Sequence, residues 1–174
     1  MWYLCGVGSN IQPEDNLPAA IIDLVRQHGT LRVSSVIRTC PEGIDTPNEF
    51  LNALVIFYSD LDPQALKQEL NNLEERLGRD RSNPLSSHAD RTIDVDILEA
   101  SPTGSFMGDK IKESYYRELF FGRHRQATAS LTLQGQALGQ SPATVYRNQR
   151  SSHEVVVEQS EQLEHDTIKP TFPG

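Results

Sequence analysis

One stretch near the middle of the chain, residues 50–58 (Phe-Leu-Asn-Ala-Leu-Val-Ile-Phe-Tyr), constrains the fold more than any other. Leu51, Ala53, Val55 and Phe57 alternate with Phe50, Asn52, Leu54, Ile56 and Tyr58, so a strand here is largely apolar on both faces. That pattern belongs to a central, covered strand. Asn52 is its one strongly polar residue.

The flanking segments supply the partners such a strand needs. Residues 3–7 form a short apolar run closed by Gly8-Ser9-Asn10 and read as a first strand. Residues 16–28 place Leu17, Ile21, Leu24 and Val25 on one helical face, with Gly29 as the stop. Pro18 fits the first turn, where no amide donor is needed. Residues 31–39 are β-branched and extended. Asp62-Pro63 begins a second helix as N-cap and first helical residue; Leu66, Leu70, Leu73 and Leu77 line its buried face, and Gly78 ends it. In residues 92–98, Ile93, Val95 and Ile97 alternate with Asp94 and Asp96.

The order strand, helix, strand, strand, helix, strand predicts an α+β, ferredoxin-like βαββαβ core over about residues 1–100. That core is a four-stranded antiparallel sheet with both helices on one face. Residues 101–150 form an atypical extension expected to pack on the core, with Tyr115, Tyr116, Leu119 and Phe120 at helical spacing as a cover. Residues 151–174 are acidic and expected to be disordered.

Composition narrows the function classes. A net charge of −8 excludes a general nucleic-acid binder, which needs excess Lys and Arg to displace counterions. It leaves room for a small phosphorylated ligand held by a local cluster of arginines. Two cysteines, Cys5 and Cys40, are too few for a disulfide framework and read as reduced thiols. No secretory signal is legible at Met1-Trp2-Tyr3-Leu4, and the longest wholly apolar stretch, 53–58, is too short to span a bilayer. The expectation is a cytoplasmic protein, monomeric or weakly self-associating, without membrane or nucleic-acid partners.

Two carboxylates two residues apart on a strand share a face, roughly 7 Å apart. Asp94 and Asp96 in that relation repel each other, and nothing in strand stability favours the pairing. Magnesium bridging phosphate oxygens would justify it; for the tripeptide alone, a solvated edge strand with its acids facing water is the commoner explanation. As exposed like charges, the two are expected to contribute little to fold stability. Arg79, Arg81 and Arg91 flank this strand, and guanidinium groups suit phosphate because they are planar, always charged and bidentate. Taken singly they fit a solvated loop; together with the acids they point to a nucleotide site. Thr39 ends one strand and Phe50 opens its neighbour. Asn52 there can offer both donor and acceptor to an amide-like heterocycle, and Phe50 can stack on its ring. Gly6-x-Gly8 lacks the third glycine of a dinucleotide fingerprint and is set aside. The five histidines show no metal spacing.

These residues resemble the 6-hydroxymethyl-7,8-dihydropterin pyrophosphokinase family. The matching features are Gly8-Ser9-Asn10, Val33-Ser34-Ser35, Arg38-Thr39, Phe50-Leu51-Asn52-Ala53, Gly78-Arg79-x-Arg81 and Arg91-Thr92-x-Asp94-x-Asp96-Ile97. The resemblance implies transfer of a diphosphate from ATP, the co-substrate, to the hydroxymethyl group of a reduced pterin, releasing AMP. It implies that Asp94 and Asp96 ligate two Mg²⁺ ions and that Arg81 and Arg91 act with them in catalysis. Asn71, Glu74, Arg79, Arg81, Arg91 and Ile97 would contact ATP. Thr39, Cys40, Glu42, Phe50, Asn52 and Asp94 would line the pterin pocket. From its own composition, with Leu85 as its one large apolar residue, loop 79–90 is expected to be mobile without ligand and to become ordered over ATP. The sequence departs from the family pattern in that loop, which is longer and has His88 in place of a tryptophan. It departs again after the acidic strand, where no Pro-His pair occurs and Arg117, Arg123 and His124 are the nearest basic residues. The alternative is a relative that binds nucleotide or pterin with weak or no turnover.

Overall fold

The structure is a computed structural model, and it describes residues 1–41, 46–79 and 90–163. The chain runs β1 (Trp2–Ser9), α1 (Pro13–His28), β2 (Leu31–Val33), β3 (Ile37–Thr39), β4 (Phe50–Tyr58), α2 (Pro63–Arg76) and β5 (Asp94–Ser101). It continues through α3 (Ser114–Phe120), β6 (Leu131–Leu133), β7 (Gln136–Leu138), β8 (Ala143–Asn148) and β9 (Ser151–Gln159). The fold is α+β, built on an antiparallel sheet with strand order β5-β1-β4-β2-β8-β9, in which β3 also pairs with β4.

The sheet is larger than the four strands expected from the pattern: among the described residues it has seven, because the expected strand 31–39 is split into β2 and β3 and the β8–β9 hairpin extends the edge at β2. Its two faces are both covered, as the double apolar character of β4 requires. Tyr3, Cys5, Val7, Ala53, Val55 and Phe57 pack with Leu17, Ile21, Leu24, Leu66, Leu70 and Leu73 of α1 and α2. On the other face Leu4, Ile37, Leu54 and Ile56 pack with Phe106, Ile111, Tyr116 and Leu119. The helices are therefore not confined to one side, since α3 closes the second.

Local chemistry explains the boundaries that differ from expectation. Helix α1 begins three residues early because Pro13 takes the first-turn position, where its missing N–H costs nothing. The expected single strand 31–39 is split into β2 and β3. At the break the Ser34 hydroxyl accepts from Leu54 N at 2.8 Å, replacing a backbone ladder partner, and Val36 N donates to Gly139 O at 2.9 Å. Asp62 caps α2 by accepting from Ala65 N at 2.8 Å. Strand β9 corrects the expectation of disorder over residues 151–159. Val155, Val156 and Val157 pair with Arg147, Tyr146 and Val145 of β8, and this β-branched run outweighs the acidic composition. Residues 164–174 and most of loop 79–90 lie outside the described residues.

Candidate active site

The register of three strands assembles the site. Gly8 of β1 lies opposite Asn52 of β4 and Asp94 of β5, and Gly6 lies opposite Asp96. Thr39 of β3 pairs with Phe50. Residues opposite one another on antiparallel strands share a face, so Thr39, Phe50, Asn52, Asp94 and Asp96 all stand on the face that α3 covers. Glycine at both β1 positions leaves a trough between the acids and Asn52. A Cβ on Gly8 would come within 2.2 Å of Asn52 Oδ1, and one on Gly6 within 2.5 Å of the Tyr116 ring. Gly6-x-Gly8 thus serves close packing.

Two cavities meet at the aspartates. One, of about 170 Å³, is lined by Thr39, Cys40, Phe50 and Asn52, with Arg91, Glu113, Tyr115 and Tyr116 completing it. The other, of about 250 Å³, lies between α2 and the edge strand β5 and is lined by Lys67, Leu70, Asn71, Arg79 and Ile97. Asp94 and Asp96 belong to both.

Asp94 is held from two sides: Arg79 Nη1 donates to Oδ1 at 2.7 Å and Arg91 Nη1 to Oδ2 at 3.1 Å. Arg91 is positioned in turn by the Gly8-Ser9-Asn10 turn, where Asn10 Oδ1 accepts from Arg91 N at 2.7 Å. Asn10 also donates to Asp90 at 2.8 Å. Hydrogen bonds from Thr46, Asn10 and Asn48 hold the Asp90 carboxyl below the usual carboxylate range. Asp96 is the opposite case. Burial against the sheet, then the charge of Asp94 and a hydrogen bond with it, push Asp96 up to about 7, with Glu113 adding to the effect. Its side chain still reaches solvent through the open cavities. Asp94 and Asp96 are close enough to share a proton, and a hard divalent cation is the chemical replacement for that proton. Among the described residues no three His, Cys, Asp or Glu side chains gather closely enough to hold a metal by themselves. A cation here would draw its other ligands from water and phosphate, as Mg²⁺ characteristically does. The donor set fits magnesium.

On the other side, Asn52 Nδ2 donates to Thr39 Oγ1 at 2.6 Å, and the Tyr116 hydroxyl donates to Asn52 Oδ1 at 3.0 Å. Burial keeps the Tyr116 phenol protonated far above neutral pH, so the donor is permanent. Each end of the Asn52 amide keeps one further valence for a ligand.

Most of the residues singled out by sequence are brought together here. Glu74 is the exception. It is 1% exposed, its Oε2 accepts from Val95 N at 2.7 Å and its Oε1 lies 3.3 Å from Arg79 Nη1. It braces β5 and Arg79 from behind and does not line the cavity along α2, because both oxygens are committed to the fold. Arg81, Glu42 and His88 lie outside the described residues. Neither of the two cavities is lined by Arg117, Arg123 or His124. Arg117 donates to Ile111 O at 2.8 Å, Arg123 pairs with Glu118, and His124 borders a separate cavity of about 710 Å³ that excludes the aspartates. Sequence reasoning missed Glu113, Tyr115, Tyr116 and Lys67 as site residues. The helical spacing of Tyr115 and Tyr116 marks a packing face, and no local motif shows that this face lands over Gly6 and Gly8.

Comparison with known proteins agrees with this arrangement. A family model described as 7,8-dihydro-6-hydroxymethylpterin-pyrophosphokinase matches residues 4–133. The chain is 34% identical over 94 residues to a 2-amino-4-hydroxy-6-hydroxymethyldihydropteridine pyrophosphokinase of Porphyromonas gingivalis. It is 33% identical over 95 residues to the protein of that name from Bacillus subtilis. Each alignment takes in 53% of this chain, and the chain spans 64% and 55% of the lengths of these two relatives. With three quarters of its residues inside the family match, and that match embracing both cavities, the chain belongs to the 7,8-dihydro-6-hydroxymethylpterin-pyrophosphokinase family.

Proposed function

We propose that the protein transfers the terminal diphosphate of ATP to the hydroxymethyl oxygen of 6-hydroxymethyl-7,8-dihydropterin and releases AMP, a step of folate biosynthesis. The observation that carries this reading is the sharing of Asp94 and Asp96 by two cavities, one rich in ring-recognition groups and one running along α2. On this reading the core of β1, α1, β2–β3, β4, α2 and β5 is a ferredoxin-like unit. The pterin lies against Phe50, with Thr39, Cys40 and Asn52 reading its polar edge and Glu42 closing the pocket. ATP lies along Asn71 and Ile97, with Arg79, Arg81 and Arg91 on its phosphates.

Asp94 and Asp96 would hold two Mg²⁺ ions, which neutralise the polyphosphate when bound. Were Asp94 to hold a cation, Arg79 and Arg91, here engaged by that carboxylate, would hold the phosphate oxygens. Arg79 retains a buried Nε without a hydrogen-bond partner, a donor available for the purpose. The acceptor oxygen would bond to the β-phosphorus as the bond from that phosphorus to the α,β-bridging oxygen breaks; AMP departs with the bridging oxygen, and the hydroxyl proton passes to solvent. The chain's contribution is alignment of the two substrates and charge neutralisation. The enzyme would work in the cytoplasm on small-molecule substrates; among the described residues no helix is long and apolar enough to cross a membrane.

The test is AMP release from ATP and Mg²⁺ with and without the reduced hydroxymethylpterin. Acceptor-dependent AMP supports the proposal. Binding of both ligands without AMP would instead make the protein a relative that retains affinity and has lost turnover.

A further inference from the structure

Glu113 immediately precedes α3 and stands at its N-cap, yet its side chain makes no capping hydrogen bond. A carboxylate at that position ordinarily gains by accepting from the first helical amides. Here it lines the 170 Å³ cavity beside Asp94, Asp96, Tyr115 and Tyr116. Its Oε2 is buried without a hydrogen-bond partner. A buried acceptor left unsatisfied is costly, and a native fold that keeps one needs something to offset it. No cation bound through three protein carboxylates supplies the answer, because among the described residues no such trio is close enough. A donor on the molecule that fills the cavity would satisfy it.

We propose that Glu113 recognises the acceptor substrate, its free carboxylate oxygen taking a hydrogen bond from an N–H or O–H of a neutral, donor-bearing heterocyclic alcohol. The inference rests on the acceptor reading of this cavity and extends it to specificity. Among the described residues, three carboxylates line the pocket against one guanidinium, that of Arg91. A neutral or cationic acceptor is therefore admitted, and one already carrying phosphate is repelled.

The experiment compares wild type, Glu113→Gln and Glu113→Ala. Fluorescent 6-hydroxymethylpterin is the binding probe, its phosphate ester the anionic probe, and 6-hydroxymethyl-7,8-dihydropterin the substrate in turnover. Expected for Glu113→Ala is an acceptor Kd and KM raised at least tenfold. Its KM for ATP should stay within twofold and its kcat within threefold. Glu113→Gln should show a smaller rise and a preference for the neutral over the phosphorylated probe narrowed at least fivefold. Neither variant should lose more than about 2 °C in Tm, since the group removed satisfies nothing in the fold. The proposal is overturned by an acceptor Kd within twofold of wild type in Glu113→Ala. It is equally overturned by an equal loss of ATP affinity, or by a fall in kcat with Kd unchanged. Wild-type protein that binds no hydroxymethylpterin would remove the acceptor reading itself, and this inference with it.

Discussion

Replacing Gly8 by alanine should damage the site through a single displaced side chain. The new methyl would stand 2.2 Å from Asn52 Oδ1, whereas carbon and oxygen pack at about 3.3 Å, so Asn52 has to move by about 1 Å. Asn52 is 3% exposed and tied at both ends of its amide, at 2.6 Å to Thr39 and 3.0 Å to Tyr116. A shift of that size takes both bonds beyond useful length. Two buried hydrogen bonds at about 1 kcal/mol each, plus about 1 kcal/mol of off-rotamer strain, give a loss of roughly 2–4 kcal/mol. For a chain of this size that corresponds to a Tm lower by roughly 4–16 °C. On the proposed reading, acceptor affinity should fall at least tenfold while ATP affinity holds, because Gly8 and Asn52 border the cavity lined by Phe50 and not the one along α2. Thermal melts and the two binding titrations measure this. In an Asn52→Ala background the obstructed amide is gone, and the cost of Gly8→Ala should shrink by more than about 1 kcal/mol. A Tm within 2 °C of wild type with unchanged acceptor binding would refute the steric argument, as would full additivity of the two substitutions.

The two aspartates should separate in their effect on stability, contrary to the expectation that both are neutral to the fold. Asp94→Ala takes from Arg79 and Arg91, which are 9% and 17% exposed, the carboxylate they share, while Arg79 keeps its pairing with Glu74, and should cost about 1–3 kcal/mol by urea denaturation. Asp96→Ala removes a like charge and should leave the fold as stable or more so; equal losses in the two variants would contradict the pairing. The raised Asp96 carboxyl sets a pH dependence. Its folded pKa, about 7, lies above the unfolded value of 3.8, so the group favours folding least once pH exceeds 7, and bound Mg²⁺ relieves that penalty. The Mg²⁺-induced rise in Tm should accordingly be larger at pH 8 than at pH 6, and a pH-independent rise would refute the assignment. Cys5 is buried with its thiol pushed up by desolvation, whereas Cys40 is exposed and lines the acceptor cavity. One equivalent of thiol should react with a disulfide reagent in the folded state, and bound hydroxymethylpterin should slow it; two fast equivalents would contradict the burial.

Several parts of this architecture are written in local chemistry. The double alternation in residues 50–58 requires a covered central strand, and the leucine spacing with Asp62-Pro63 requires α2, because periodicity and capping act within a few residues of one another. The alternation of Asp94 and Asp96 with Ile93, Val95 and Ile97 puts the acids on one face whatever the strand's neighbours are. What the acids face is a matter of register. Only the pairing of Gly8 with both Asn52 and Asp94, and of Gly6 with Asp96, sets the aspartates across a glycine trough from Asn52. The commitment of Glu74 to Val95 and Arg79 likewise depends on where α2 settles against β5. Glu113 and Tyr116 arrive from more than fifty residues beyond Asn52, on a helix whose own pattern speaks only of packing. Strand register and helix docking are decided by contacts between distant segments, and no local rule encodes them, so tertiary structure alone turned a recognisable set of residues into two cavities meeting at a pair of carboxylates.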